Sequence, residues 1–312
     1  MPEKKYGIVL VLFSICLAFS CLTITNGLSA VGGESTTKIV LLGTGTPVAD
    51  PERSGPSVAI IVNDTPYIVD FGPGVIRRAS AAHKAGIKAL RVQNLTRAFA
   101  THLHSDHTLG YPDLIFSPWV LGRSEPLAVF GPEGIKLMTE HIIAAYQQDI
   151  NIRINGLEPA NNIGYRVIVH EIEPGVVYED SLVKVEAFSV NHGSWPNAFG
   201  YKFYTPDRTI VISGDATYSE SIIEHSKGVD VLIHEVYNTT GFQNIKNPKW
   251  QKYHSNFHTS THDLAKIARA AKPGLLILYH QLWMGQPEDD LLKEIQERYD
   301  GRVVSGKDLE VY

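Results

Sequence analysis

The chain has 312 residues, 44% hydrophobic and 20% charged, an ordinary globular composition with length for one large domain or two small ones. Its formal net charge of −5 gives no bulk signature of nucleic-acid binding, which usually needs a basic surface. Both cysteines, Cys16 and Cys21, fall in the N-terminal apolar run, so a disulfide framework and thiolate metal ligands are excluded, and any metal must be held by histidine and carboxylate.

Lys4 and Lys5 precede an apolar stretch from Ile8 to Leu22, followed by a small, polar exit from Thr23 to Ala30. This is the layout of a secretory signal. The apolar run is shorter than the roughly 20 residues that cross a bilayer. The expectation is export, to the periplasm or beyond, with residues 1–30 a signal peptide. The alternative is an uncleaved membrane anchor at the same place. Residues 36–312 are expected to form the folded domain.

Thr37 to Leu42 reads as a strand and Gly43-Thr44-Gly45-Thr46-Pro47 as a turn. That turn lacks the lysine and third glycine of a nucleotide loop. Ser57 to Val62 and Pro66 to Asp70 predict two strands joined by a hairpin at Asn63-Asp64. Val75 to Ala85 predicts a helix. Leu95 to Thr101 predicts a buried strand that delivers Thr101-His102-Leu103-His104-Ser105-Asp106-His107. Three imidazoles and a carboxylate in so short a stretch are ligands that zinc and similar divalent ions prefer. With His102 and His104 on one side of the turn and Asp106 and His107 on the other, two metals fit better than one. A short helix is predicted over Pro112 to Phe116, interrupted at Pro118-Trp119. A strand follows at Leu127 to Phe130, then a helix at Ile135 to Gln147. Strands are predicted at Tyr165 to Glu171, Leu182 to Val190, Ala198 to Tyr204 and Thr209 to Ser213. A short helix at Ser219 to Ser226 leads to a buried strand at Val229 to Glu235. The helix Asp263 to Ala271, the strand Leu275 to Leu278, the helix Glu288 to Tyr299 and one or two strands within Val303 to Tyr312 complete the chain. Strands cluster in two halves with helices between them, which describes an α/β fold, an αββα four-layer sandwich.

His102-Leu103-His104-Ser105-Asp106-His107 resembles the HxHxDH signature of the metallo-β-lactamase-fold hydrolases, over about Lys38 to Tyr312. The same sandwich is the fold this resemblance implies. Later strand ends offer His192, Asp215 and His280. By resemblance, His102, His104 and His192 hold a first metal, Asp106, His107 and His280 a second, and Asp215 bridges the two. Asp70 supports the metal loop, and Asp106 also orients the nucleophile. Two divalent ions are implied, zinc first among them, although manganese and iron accept the same donors. The implied chemistry is hydrolysis by a water ionised between the metals.

His258-Thr259-Ser260 resembles the His-Ser-Thr segment of ribonuclease Z and its relatives, with serine and threonine exchanged. The resemblance makes His258 the candidate that stabilises the transition state or protonates the leaving oxygen, with His254 and His262 as competitors. His234-Glu235 resembles the His-Glu of the same group and reads equally as a structural pair. Leu42 to Pro47 and Phe130 to Gly134 also resemble the ribonuclease Z branch. Trp195, Phe199, Trp250 and Trp283 are candidates either for a pocket or for the core.

Export, negative charge and the lack of a long basic, glycine-rich arm argue against tRNA. Between Gln148 and Glu179 only Arg153 and Arg166 are basic. Pro118 to Arg123 resembles the arylsulfatase-like exported members. The expected function is therefore an exported hydrolase of a small sulfate or phosphate ester. The expected partner is that small molecule rather than nucleic acid, with membrane contact only through the N-terminal segment and the oligomeric state open, a homodimer included. The alternatives are a ribonuclease Z-type phosphodiesterase or tRNA 3′-endonuclease, a lactonase or β-lactamase, and a metal-dependent binding protein without activity.

Overall fold

Alternation along β1 (Thr37–Gly43) sets the architecture. Ile39 and Leu41 point to one core, Val40 and Leu42 to another, and all four are fully buried. A strand buried on both faces lies inside a layered fold. The computed structural model describes residues 1–3 and 36–312. The signal or anchor segment expected over residues 1–30 falls almost wholly outside the described residues. Among the described residues no helix is long and apolar enough to cross a membrane.

The first sheet holds β1, β2 (Ser57–Val62), β3 (Thr65–Val69), β4 (Arg97–Phe99), β5 (Leu127–Gly131) and β6 (Val167–Glu171) in that order. β1 to β3 pair antiparallel, and β3 to β6 pair parallel. The Asn63-Asp64 hairpin is present, with Asn63 in the left-handed region at φ 54°. The second sheet runs from β7 (Gly175–Glu179) through β8 (Lys184–Ser189), β9 (Phe199–Tyr204), β10 (Thr209–Ile212), β11 (Val231–Tyr237) and β12 (Leu275–Leu282) to β13 (Val303–Ser305). Backbone bonds from Ile39 and Leu41 to Tyr312 and Glu310 cover the free edge of β1.

Helices α1 (Val75–Lys84), α2 (Ser105–Thr108), α3 (Tyr111–Val120), α4 (Ile135–Ala145) and α5 (Gln147–Asn155) accompany the first sheet. Helices α6 (Glu220–Ser226), α7 (Thr239–Gln243), α8 (Pro248–Phe257), α9 (Thr261–Ala271) and α10 (Glu288–Gln296) accompany the second. Three apolar clusters fill the interfaces: α1, α3 and α4 on the first sheet, sheet on sheet, and α6, α9 and α10 on the second. Three interfaces make four layers, the αββα sandwich. Each fully buried aliphatic side chain contributes about 1.5–3 kcal/mol to this packing.

Two expectations need correction, and β7, α7 and α8 have no counterpart among the predicted elements. The interruption at Pro118-Trp119 does not occur, because α3 runs through Pro118. Proline cannot donate to the Leu114 carbonyl; Arg123 Nη1 does so at 3.0 Å, and Arg123 Nη2 takes the Ile115 carbonyl at 2.7 Å. The helix predicted to end at Gln147 breaks at Tyr146 and continues as α5. Helix α8 went unpredicted although Asn247 caps it by accepting from the Lys249 amide at 2.9 Å and Pro248 opens its first turn.

Candidate metal centre

Four strands end at one rim of the sandwich, and each delivers part of a histidine–aspartate cluster. β4 leads into Thr101, His102 and His104, and α2 turns Asp106 and His107 inward behind them. His192 lies three residues past the end of β8, and Asp215 three past β10. His280 lies within β12 at a register shift: Tyr279 faces Glu235 and Gln281 faces Val236, so His280 is the extra residue. Its φ of 42° is that of a bulge that re-aims one side chain.

His102, His104, His192 and Asp215 bring one donor atom each to within 4.8 Å of one another. Asp106, His107 and His280 form a second such group, and Asp215, His258 and His280 a third. Asp215 is therefore the member shared between the sides. Its Oδ1 lies 3.3 Å from His107 Nε2 and its Oδ2 lies 3.5 Å from His280 Nε2.

Hydrogen bonds outside the cluster fix the ring tautomers. Asp70, at the end of β3, accepts from the Thr101 amide at 2.8 Å and from the Thr101 hydroxyl at 2.9 Å. It also accepts His107 Nδ1–H at 2.8 Å. With its proton given to Asp70, the Thr101 hydroxyl accepts His102 Nδ1–H at 2.9 Å. His192 Nδ1–H donates to the Phe257 carbonyl at 2.8 Å. The Nε2 lone pairs of His102 and His192 are then both aimed at His104 Nδ1, 3.0 Å from each. The indole N–H of Trp195 donates to His104 Nε2 at 2.7 Å, which leaves the His104 proton on Nδ1, where a cation would otherwise sit.

The donors fit a metal. His107 Nε2 and Asp215 Oδ1 are buried and lack a hydrogen-bond partner, which is costly unless something charged satisfies them. Burial pushes His102 well below the ordinary histidine range and His192 down to about 3, so both present neutral nitrogens. Burial also opposes charge on His107, but Asp215 and Asp70 outweigh it and raise that imidazole well above its ordinary value. Burial raises Asp215 too, yet His280 and His107 prevail and hold its carboxyl well below the usual range.

The family described as Beta-lactamase superfamily domain matches residues 65–281, from β3 to the strand that carries His280. The chain belongs to this superfamily. Ribonuclease Z of Mycobacterium marinum is 30% identical over 278 residues, covering 87% of this chain and 96% of that protein. The metallo-beta-lactamase fold protein YhfI from Bacillus subtilis superposes with a TM-score of 0.66 at 19% identity, covering 88% of this chain and 98% of that one. Human tRNase Z, short form, does so with a TM-score of 0.64 at 20% identity, over 88% and 98%. The superfamily member is a metallo-β-lactamase-fold, metal-dependent hydrolase of ester bonds.

These relatives overturn the reading as a hydrolase of small sulfate or phosphate esters: extended similarity runs to a ribonuclease Z, the alternative reading. The stretch Pro118 to Arg123, with its arylsulfatase-like pattern, is a packing device in which the Arg123 guanidinium is buried among backbone carbonyls. Net charge, which argued against a nucleic-acid partner, sums the whole surface and says nothing about the rim of the site.

Among the three candidate histidines, His258 alone faces the centre, its Nδ1 lying 3.7 Å from Asp215 and 3.5 Å from Glu235. His254 lines a 350 Å³ cleft beside Trp283 and Arg53, and His262 begins α9. Glu235 accepts from the Thr259 amide at 2.7 Å, while His234 Nδ1–H donates to the Glu235 carbonyl at 2.6 Å as a structural contact. Phe199 is core, Trp195 walls His104, Trp250 is exposed on α8, and Trp283 stacks with the Arg53 guanidinium at 4.9 Å. The Phe257 carbonyl, which orients His192, was missed because nothing in the sequence links residues 65 apart. A separate 610 Å³ cleft between α4 and β6 carries none of these side chains.

Proposed function

We propose that the protein is a phosphodiesterase of ribonuclease Z type that cleaves an RNA phosphodiester bond. The observation that carries this reading is the meeting of two His/Asp groups around Asp215, with His258 and Glu235 beside them, in a relative of ribonuclease Z. The donor set suits two divalent ions, zinc being the natural choice for histidine with carboxylate. His102, His104 and His192 would hold one, Asp106, His107 and His280 the other, and Asp215 would lie between. When bound, such a pair supplies an ionised water at neutral pH and offsets charge on the phosphoryl oxygens.

The remaining chemistry belongs to side chains. Asp106 accepts from His280 at 3.2 Å and keeps a carboxylate oxygen at the site to orient the attacking water. Burial, helped by Asp215, raises Glu235 well above the usual carboxylate range, while burial pushes His258 down to about 4. Glu235 Oε2 faces His258 Nδ1 at 3.5 Å, close enough to pass it a proton during turnover. As the P–O bond breaks, His258 gives a ring N–H proton to the leaving ribose oxygen and is reprotonated from the Glu235 carboxyl beside it.

The test is metal-loaded protein incubated with a precursor tRNA carrying a 3′ trailer and, separately, with bis(p-nitrophenyl) phosphate. The expected results are one defined cut in the RNA and turnover of the diester, both abolished by chelation. Failure to cut either substrate refutes the proposal.

A further inference from the structure

We infer that α8 is the nucleic-acid grip of this protein, a basic and aromatic helix that receives single-stranded RNA and leads it to the metal centre; the substrate class rests on the phosphodiesterase reading above. In a chain of net charge −5, residues 236–262 contain Lys246, Lys249 and Lys252 and no aspartate or glutamate. All three lysines are exposed, and among the described residues none has an ion-pair partner. Backbone phosphates are the complement of such a row.

The same helix carries aromatic rings. Spacings of three and four residues put Trp250, Tyr253, His254 and Phe257 on one stripe of α8, while Lys249 and Lys252, three residues apart, share a second stripe that faces away from it. The rings form a path inward. Trp250, 55% exposed, lies 5.6 Å from Tyr253, which stacks on Phe257 at 4.5 Å. Phe257 lies 5.0 Å from His192 and 6.1 Å from His104. A helix with one aromatic face and one basic face offers both features with which proteins hold single strands, since every base has a face to stack and every linkage a charge.

The helix is placed for this work. None of its ten residues is buried, so it serves no core. Its C-terminal end is fixed to the centre, where Gly193 leaves room for the Phe257 ring; a Cβ there would lie 2.1 Å from it. Open clefts of 350 Å³ and 420 Å³ flank it, lined by His254 on one side and by Ser255 and Asn256 on the other. The basic run between Arg77 and Arg91 is a weaker candidate. It contains no Trp, Tyr or Phe, and Arg78 is committed to Asp308 at 3.1 Å. The segment 148–179 offers no basic arm: it holds only Arg153, paired with Asp149 at 3.0 Å, and Arg166.

The experiment measures binding of a cleavage-resistant, phosphorothioate-linked oligoribonucleotide to the metal-loaded full chain by fluorescence anisotropy between 50 and 200 mM salt. Lys246→Ala/Lys249→Ala/Lys252→Ala is expected to lower the slope of log affinity against log salt by about 2, near 0.7 for each phosphate that is no longer neutralised. Trp250→Ala is expected to weaken binding about tenfold with the slope unchanged. Circular dichroism and zinc content confirm that each variant is folded and loaded. Parental affinity and slope in the triple variant overturn the assignment. So does loss of binding to vesicles containing phosphatidylserine with RNA binding intact, which would make the patch a membrane contact. Turnover of bis(p-nitrophenyl) phosphate by the parent tests the phosphodiesterase reading separately, so the two can fail independently.

Discussion

Asp70 adopts a left-handed backbone, φ 57°, at the end of β3, and its carboxylate is the hub that aims the histidine-rich turn. A side chain that orients a ligand imidazole raises its basicity and fixes its tautomer. Asp70→Ala is therefore expected to weaken zinc binding about 10–100-fold, measured by competition with a chromophoric chelator; an unchanged affinity removes Asp70 from the support of the site. The role proposed for His258 belongs to a different step. Replacement of His258 by alanine is expected to lower turnover of RNA by about 10²–10⁴. Turnover of bis(p-nitrophenyl) phosphate should fall much less, because nitrophenolate departs without a proton. Equal losses on both substrates contradict the proton-donor role. At this scale the sequence offered His254, His258 and His262 as competitors, since evenly spaced histidines look alike until packing places only one against Glu235 and Asp215.

Elements depend on contacts that local patterns do not reveal. The strands other than β7 were legible because alternation and β-branched runs are written into consecutive residues. Helix α3 was misread because the guanidinium that repairs the proline break comes from beyond the helix. Arg123 also donates to the carbonyls of Leu95 at 2.9 Å and Gly164 at 2.8 Å, tying α3 to the segments before β4 and β6. Burial lowers its pKa to about 10, so it is still charged near neutrality. Arg123→Met is expected to destabilise the fold by about 3–5 kcal/mol, because several buried carbonyls lose their donor together. Urea denaturation checks this, and a change under about 1 kcal/mol would show that water replaces the guanidinium. Helix α8 escaped for another reason: its aromatic stripe packs over the rim rather than into a core, so the apolar periodicity of a core helix is diluted by lysine and asparagine.

Residues 36–312 form two sheets whose strand ends meet at the site. His102 to His107 come from the first sheet and its loop, while His192, Asp215 and His280 come from the second. An ion held by both sheets stabilises the folded chain and not the unfolded one. At about 1,000-fold over its dissociation constant this amounts to about 4 kcal/mol. Exhaustive chelation is expected to lower the melting temperature by roughly 8 °C, with recovery on adding zinc; an unmoved transition in calorimetry argues that the donors are not loaded.

The sequence by itself determined the four-layer architecture, the superfamily and the donor types. Those depend on residue identity, on short motifs and on the period of apolar residues, all of which are local. The tertiary structure decided which donors meet, since His192 reaches His104 across 88 residues and His280 reaches Asp106 across 174. It also decided which histidine faces the centre and where positive charge stands beside it. Net charge and motif carry no coordinates, and only the packing of one sheet on the other brings those strand ends to a common rim.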